Sequence, residues 1–220
     1  MPQFINVHTH NPDNEGINIL NINSSAFWTE GNCLSYGIHP WDVGKIDLNA
    51  QLKFLEDLCK EKKIVAIGEI GLDRSIDTPL DEQRVILKKQ LELALKYQLP
   101  VILHSVRTNY DLLTIKKQEK IDIPWIFHGF RGSVQEATQL INNQCYLSFG
   151  KALLYEEKNQ HVFKNIPLDW VFFETDDSDA KIDNIYQKAA EIIPIFVDDL
   201  KEKIFSNFIK VFGVRCTKNG

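Results

Sequence analysis

Residues 64–69 read Ile-Val-Ala-Ile-Gly-Glu, an uncharged run rich in β-branched residues and closed by a carboxylate. A run that stays apolar at every position, rather than alternating, suits a strand covered on both faces, as in a parallel sheet. The same form recurs at Val101–His104 and Val171–Thr175. Related runs stand at Phe4–His8, Ile17–Ile22, Cys33–Ile38, Trp125–His128 and Cys145–Phe149. Between them lie amphipathic stretches. Leu80–Gln98 carries Val85, Ile86, Leu91, Leu93, Ala94 and Leu95 at helical spacing and stops at Leu99-Pro100. Further helices are expected near Leu48–Lys62, Asn109–Gln118, Ser133–Asn142, Lys181–Ile193 and Phe196–Phe212. Strands alternating with helices predict an α/β chain with a parallel sheet, a (β/α)8 barrel of TIM type.

The chain is short for that fold, whose usual length is ~250 residues. Only His10–Gly16 and Asn23–Asn32 separate the first three strands, and neither gap holds a full helix. The barrel is therefore expected to be shortened, with reduced helices in its first two connections. A flavodoxin-like open sheet is the rival, but it needs only about five strands. No repeat or Pro/Gly/Ser-rich linker interrupts the chain, so one domain over residues 1–220 is expected.

The 220 residues carry 25 Lys and Arg against 30 Asp and Glu, a net charge of −5, which excludes a basic, sequence-blind nucleic-acid coat. A phosphate substrate held by metal ions stays open. No apolar run reaches the ~18 residues of a membrane span. The start, MPQFINVHTH, lacks the charged and apolar regions of a signal peptide, and a cytoplasmic location is expected. Cys33, Cys59, Cys145 and Cys216 form no CxxC pair and read as reduced thiols.

The six histidines are the main chemical signal. His8 and His10 form an H-x-H at the end of the first strand, where residues i and i+2 share a face and can reach one ion. Alone, such a pair is as readily two surface residues. Glu69, His104, His128 and Asp176, however, also stand at or just past the C-terminal ends of strands, where barrel enzymes place their chemistry. Any one of them could merely begin a turn. Together, imidazoles and carboxylates make a ligand set for Zn²⁺ or Mn²⁺, or for Mg²⁺ with waters.

In order along the chain stand NVHTH (6–10), YGIHPWD (36–42), AIGEIGLDRS (66–75), QLPVILHSVR (98–107), IFHGFRGS (126–133) and FFETDD (172–177). These blocks resemble the signature segments of the TatD family of metal-dependent hydrolases. That family consists of amidohydrolase-type barrels generally described as metal-dependent deoxyribonucleases. The similarity runs from residue 4 to about residue 213, where SNFIKVFG (206–213) resembles the family's terminal segment. The resemblance implies one or two divalent ions per chain. His8 and His10 would hold one, Glu69 would bridge two, and His104 and His128 would complete the second. Asp176 would ligate the first and act as general base on water. His39 would stand at the substrate side with Arg107 and Trp41, while Asn6, Asp73 and Glu174 would support the ligands from behind.

The chain departs from the family pattern in three places. Asn6 replaces the usual Asp, so a carboxylate ligand there is lost. Arg107 falls three residues after His104 rather than two. Asp177, Ser178 and Asp179 follow Asp176 where a Pro is usual, and their charge would repel a long polyanion.

The expected activity is therefore hydrolysis of phosphodiesters, at single-stranded or frayed DNA ends or in a small substrate, by a monomer. No helix-turn-helix or basic stripe for sequence-specific duplex reading is present. Trp28, Trp41 and Phe130 are candidates to stack an unpaired base. The same apparatus would serve a related barrel enzyme cleaving a small ester, lactone or amide. A binding descendant without activity is the third reading.

Overall fold

The computed structural model describes residues 3–11, 16–22, 33–214 and 216. Its strands are β1 (Ile5–Thr9), β2 (Ile17–Asn21), β3 (Cys33–Tyr36), β4 (Ala66–Asp73), β5 (Val101–Val106), β6 (Trp125–Phe127), β7 (Cys145–Phe149) and β8 (Val171–Phe173). Among the described residues the helices are α1 (Leu48–Lys60), α2 (Leu80–Tyr97), α3 (Asn109–Gln118), α4 (Val134–Ile141), α5 (Ala152–Tyr155), α6 (Glu157–Lys164), α7 (Ile182–Ile192) and α8 (Val197–Phe212). The strands form one eight-stranded sheet in the order β1-β2-β3-β4-β5-β6-β7-β8. A parallel bridge from Thr9 to Asp176 links β1 with the exit of β8. Sequential order with the last strand returning to the first is the topology of a (β/α)8 barrel, as expected.

The chain divides into two compact units, Met1–Leu20 with Phe127–Gly220, and Asn21–Ile126. In the first unit β1 and β7 are buried at every position, which accounts for their continuous apolar runs. Behind them Phe149, Phe163, Phe173 and Tyr186 form a chain of ring contacts, with centroids 5.5, 5.7 and 4.6 Å apart. The Tyr186 hydroxyl accepts from the Ile5 N–H and donates to the Ile5 carbonyl, fixing α7 against β1. Helix α4 starts at a reciprocal cap, with Ser133 and Glu136 each accepting from the other's backbone N–H.

In the second unit β4 is buried throughout and pairs in parallel with β3 and β5. Asp47 caps α1 by accepting from the Asn49 and Ala50 N–H groups. Gln98 ends α2 in the left-handed conformation, just before Leu99-Pro100. Gly71 has φ 152°, and a Cβ there would lie 1.9 Å from the His104 carbonyl oxygen. The second glycine of GEIGLD is thus required by the close approach of β4 to β5.

Some expectations are corrected. Strand β4 runs on to Asp73 instead of ending at Glu69, and β5 runs to Val106. Helices α5 and α6 were not expected, because the turn at Glu156 splits them into pieces too short for clear periodicity. Cys33 and Cys216 are each disulfide-bonded, whereas Cys59 and Cys145 are buried thiols. Spacing along the chain carries no information on such pairing. The two connections expected to lack helices fall largely on residues 12–15 and 23–32, outside the described residues. No helix among the described residues is long and apolar enough to cross a membrane.

Candidate metal centre

In the first unit, the backbone itself assembles the ligands. The His10 N–H donates to the Asp176 carbonyl at 3.0 Å, and the Asp176 N–H donates to the His8 carbonyl at 3.1 Å. Asp176 adopts φ 55°, a left-handed conformation that aspartate tolerates better than most residues. Its Oδ1 then lies 3.4 Å from the His8 Nε2 and 3.7 Å from the His10 Nε2. Ligands ~2.1 Å from one ion lie roughly 3.0–3.4 Å apart around it, so these donor atoms are spaced to share a divalent cation. His8 is fully buried, whereas the His10 side chain is 40% exposed, leaving one side of the group open to solvent.

His128 belongs to the same unit, its ring centroid 4.5 Å from that of His8. Its Nδ1 faces the Glu174 Oε1 at 3.5 Å. Glu174 is itself held: Oε1 accepts from the Gly129 N–H at 2.5 Å, while Oε2 is buried without a hydrogen-bond partner. Asn6 lies behind the ligands, fully buried. Its Nδ2 donates to the Asn18 Oδ1 (3.1 Å) and the Thr175 Oγ1 (2.9 Å), and its Oδ1 accepts from the Thr175 N–H (3.0 Å). The neutral amide needed at this position both donates and accepts, which a carboxylate cannot do.

In the second unit, Glu69, His104 and His39 converge. The Glu69 Oε1 lies 2.8 Å from the His104 Nδ1 and 3.2 Å from the His39 Nε2, and this trio has donor atoms suited to a metal. The two imidazoles differ in what they can offer. The His39 Nδ1 accepts the Trp41 backbone N–H at 3.2 Å, so in the neutral ring its Nε2 carries the proton. His39 therefore points a donor, not a lone pair, toward Glu69. The His104 ring lies between two carboxylates, its Nε2 2.9 Å from the Asp73 Oδ2 and its Nδ1 2.8 Å from the Glu69 Oε1.

Asp73 accepts four hydrogen bonds. Oδ1 takes the Ser75 N–H (2.7 Å) and hydroxyl (2.5 Å), and Oδ2 takes the Trp41 indole N–H (2.8 Å) together with His104. Burial alone would raise its carboxyl, but the bonds from Ser75, Trp41 and His104 together lower it to about 2. Gln83 fixes the Asp73 backbone, its Oε1 accepting the N–H and its Nε2 donating to the carbonyl.

The remaining expected residues are placed as follows. Trp41 is 52% exposed, while its indole N–H is held by Asp73. Arg107 is exposed with φ 56°, and its carbonyl accepts from the Arg74 Nε at 3.1 Å. Phe130 is buried and packs on Phe149, so it is not a base-stacking residue. Trp28 lies outside the described residues. The expected repulsion from Asp179 is offset, because the Lys151 ammonium pairs with it at 2.9 Å and holds its carboxyl below the usual range. Sequence reasoning missed Ser75, Gln83 and Asn21, whose Oδ1 accepts the Glu69 N–H at 3.1 Å. Only Ser75 left a local signal, two residues after an aspartate.

The chain matches the family model described as TatD related DNase over residues 4–213. It is 37% identical over 145 residues to the uncharacterized metal-dependent hydrolase YabD of Bacillus subtilis, covering 64% of this chain and 56% of that protein. It is 32% identical over 153 residues to the deoxyribonuclease Tat-D of Schizosaccharomyces pombe, covering 64% of this chain and 49% of that protein. The chain thus spans about half the length of these two relatives. The crystal structure of YjjV, a TatD homologue from Escherichia coli, superposes with a TM-score of 0.84 at 24% identity, covering 96% of this chain and 98% of that one. The family match spans the whole length over which the six motif blocks are distributed, and the fold agrees with it. This chain belongs to the TatD-related DNase family of metal-dependent hydrolases.

Proposed function

We propose that the chain is a divalent-metal-dependent phosphodiesterase acting on DNA, at single-stranded or frayed ends. The observation that carries the reading is the convergence of the His8 and His10 Nε2 atoms on one oxygen of Asp176. Similarity to the S. pombe relative, named a deoxyribonuclease, supports DNA as the substrate class. His8, His10 and Asp176 would hold a divalent ion, and Glu69, His104 and His128 would serve as further ligands. Mg²⁺, Mn²⁺ and Zn²⁺ all suit this donor set. Bound there, a divalent ion supplies a Lewis acid and brings the pKa of a coordinated water toward ~7.

The protein's own groups do the rest. Asp176 takes the proton of the attacking water through a carboxylate oxygen, as general base. His39 donates its Nε2–H to a substrate oxygen, a role its fixed tautomer prepares. The exposed face of Trp41 receives an unpaired base, and Arg107 reaches toward a phosphate. Asn6, Asp73 and Glu174 hold the ligand residues in orientation. The test is a panel of phosphodiester, carboxylic ester and lactone substrates with Mg²⁺, Mn²⁺ and Zn²⁺, and with single- and double-stranded DNA. Metal-dependent cleavage of single-stranded DNA, faster than of duplex, is expected. Turnover of esters or lactones without any phosphodiester cleavage would overturn the reading.

A further inference from the structure

Asp73 divides its two oxygens between two tasks. Oδ1 closes the turn after β4 through Ser75, and Oδ2 alone faces the site, 2.8 Å from the Trp41 Nε1 and 2.9 Å from the His104 Nε2. One oxygen atom therefore holds both a proposed metal ligand and an exposed aromatic ring. The His104 contact holds the ring with its Nδ1 on the Glu69 side, 2.8 Å from Oε1. The Trp41 contact is the indole's polar anchor, and edge-on packing against His39 (centroids 5.0 Å, 89°) and His104 (6.0 Å, 75°) completes its seat. The ring is held at its N–H edge while the residue stays half exposed. A surface tryptophan with no anchor would lose rotamer freedom on receiving a ligand, and this one has already lost it.

We propose that Asp73 is a positioning residue with two outputs: it presents His104 to a divalent ion, and it holds Trp41 as a pre-set stacking surface for the base of a nucleotide. The proposal rests on the metal-dependent reading of the same site. It assigns Trp41 the recognition of a flat, unpaired base next to the reacting phosphate. An unpaired base, with its faces uncovered, would occupy it more readily than a base inside a duplex, whose faces are covered by its stacked neighbours.

The test uses the full chain, stripped with EDTA, and two calorimetric titrations that need no turnover: Mn²⁺ alone, then thymidine 5′-monophosphate at saturating Mn²⁺. Asp73→Asn removes the charge and one of the two acceptor oxygens. Mn²⁺ affinity is expected to fall about 10–100-fold, the usual cost of losing a hydrogen-bond partner behind a metal ligand. Nucleotide affinity at saturating Mn²⁺ is expected to fall as well. Trp41→Phe keeps a ring but loses the N–H, and Trp41→Ala loses both. Both should leave Mn²⁺ affinity within about threefold of the parent while weakening nucleotide binding, Ala more than Phe, up to roughly 10-fold or beyond.

Ser75→Ala perturbs the Oδ1 side only and should change neither titration. Should Asp73→Asn fail to fold, Asp73→Glu, which keeps the charge and displaces the oxygens by one methylene, is expected to show the same double loss. Parent-like Mn²⁺ binding by the Asp73 variant would overturn the inference. So would a Ser75→Ala protein that reproduces the double loss, or Trp41 variants that bind nucleotide normally. Absence of DNA cleavage by the parent protein would instead overturn the proposed function and leave both titrations interpretable.

Discussion

Replacing Asn6 with alanine tests whether this residue is a buried connector rather than a lost ligand. Its side chain makes three hydrogen bonds, to the Thr175 N–H (3.0 Å), the Thr175 Oγ1 (2.9 Å) and the Asn18 Oδ1 (3.1 Å), at a site with no solvent exposure. Truncation leaves the Thr175 N–H buried without that acceptor, at about 1–3 kcal/mol, and removes two further bonds worth about 1 kcal/mol each. The expected loss is about 3–5 kcal/mol. In a chain of 220 residues each kcal/mol shifts Tm by about 2–4 °C, so a drop of roughly 10 °C is expected. Urea unfolding followed by circular dichroism, with EDTA throughout, measures the loss apart from any metal effect. A loss below about 1 kcal/mol would refute the reasoning. Asn6→Asp carries a further sign. Burial raises the new carboxyl above its unfolded value of about 3.9, so the variant's stability falls as pH rises from about 4 toward 7. A variant as stable at pH 7 as at pH 4 would contradict it.

Three more outcomes follow from the geometry. Gly71→Ala places a Cβ 1.9 Å from the His104 carbonyl oxygen at φ 152°, so it should destabilise by more than about 2 kcal/mol and weaken Mn²⁺ binding, as unfolding and calorimetry would report. The Tyr186 phenol is raised by burial, so its stabilising share is whole below about pH 10 and is lost as pH rises from there toward the folded value. The urea midpoint should therefore fall above pH 10 in the parent, and Tyr186→Phe should lack that component. His39→Gln should lower kcat by about 10–100-fold and leave Mn²⁺ affinity unchanged, because His39 offers a proton rather than a lone pair. Loss of Mn²⁺ affinity in that variant would make His39 a ligand.

The strand runs and their closing residues were legible because a buried parallel strand and its functional end are both local patterns. IVAIGE and VILH announce β4 and β5 along with Glu69 and His104. What stayed hidden depends on atoms far apart in sequence. The partners of the His39 and His104 rings, the Trp41 N–H and the Asp73 and Glu69 carboxylates, are encoded by no spacing rule. A supporting role for Asn6 is expected from the motif, but its partners Asn18 and Thr175 come from β2 and from beyond β8 and leave no local pattern. Phe130 stands in a strand-end loop, and its packing on Phe149, 19 residues away, has no local signature. The acidic pair after Asp176 looked repulsive because Lys151, its neutralising partner at Asp179, lies 28 residues away in sequence.

The central claim is metal-dependent phosphodiester hydrolysis with Asp176 at its centre. Its most direct test is the rate at which EDTA-stripped protein cleaves a single-stranded oligonucleotide as Mn²⁺ is added, for the parent and for Asp176→Asn. The account predicts no cleavage without metal, saturable activation by Mn²⁺ in the parent, and a rate lower by about 10²–10⁴-fold in a folded Asp176→Asn variant. Cleavage that is indifferent to Mn²⁺, or an Asp176→Asn protein as active as the parent, would contradict it.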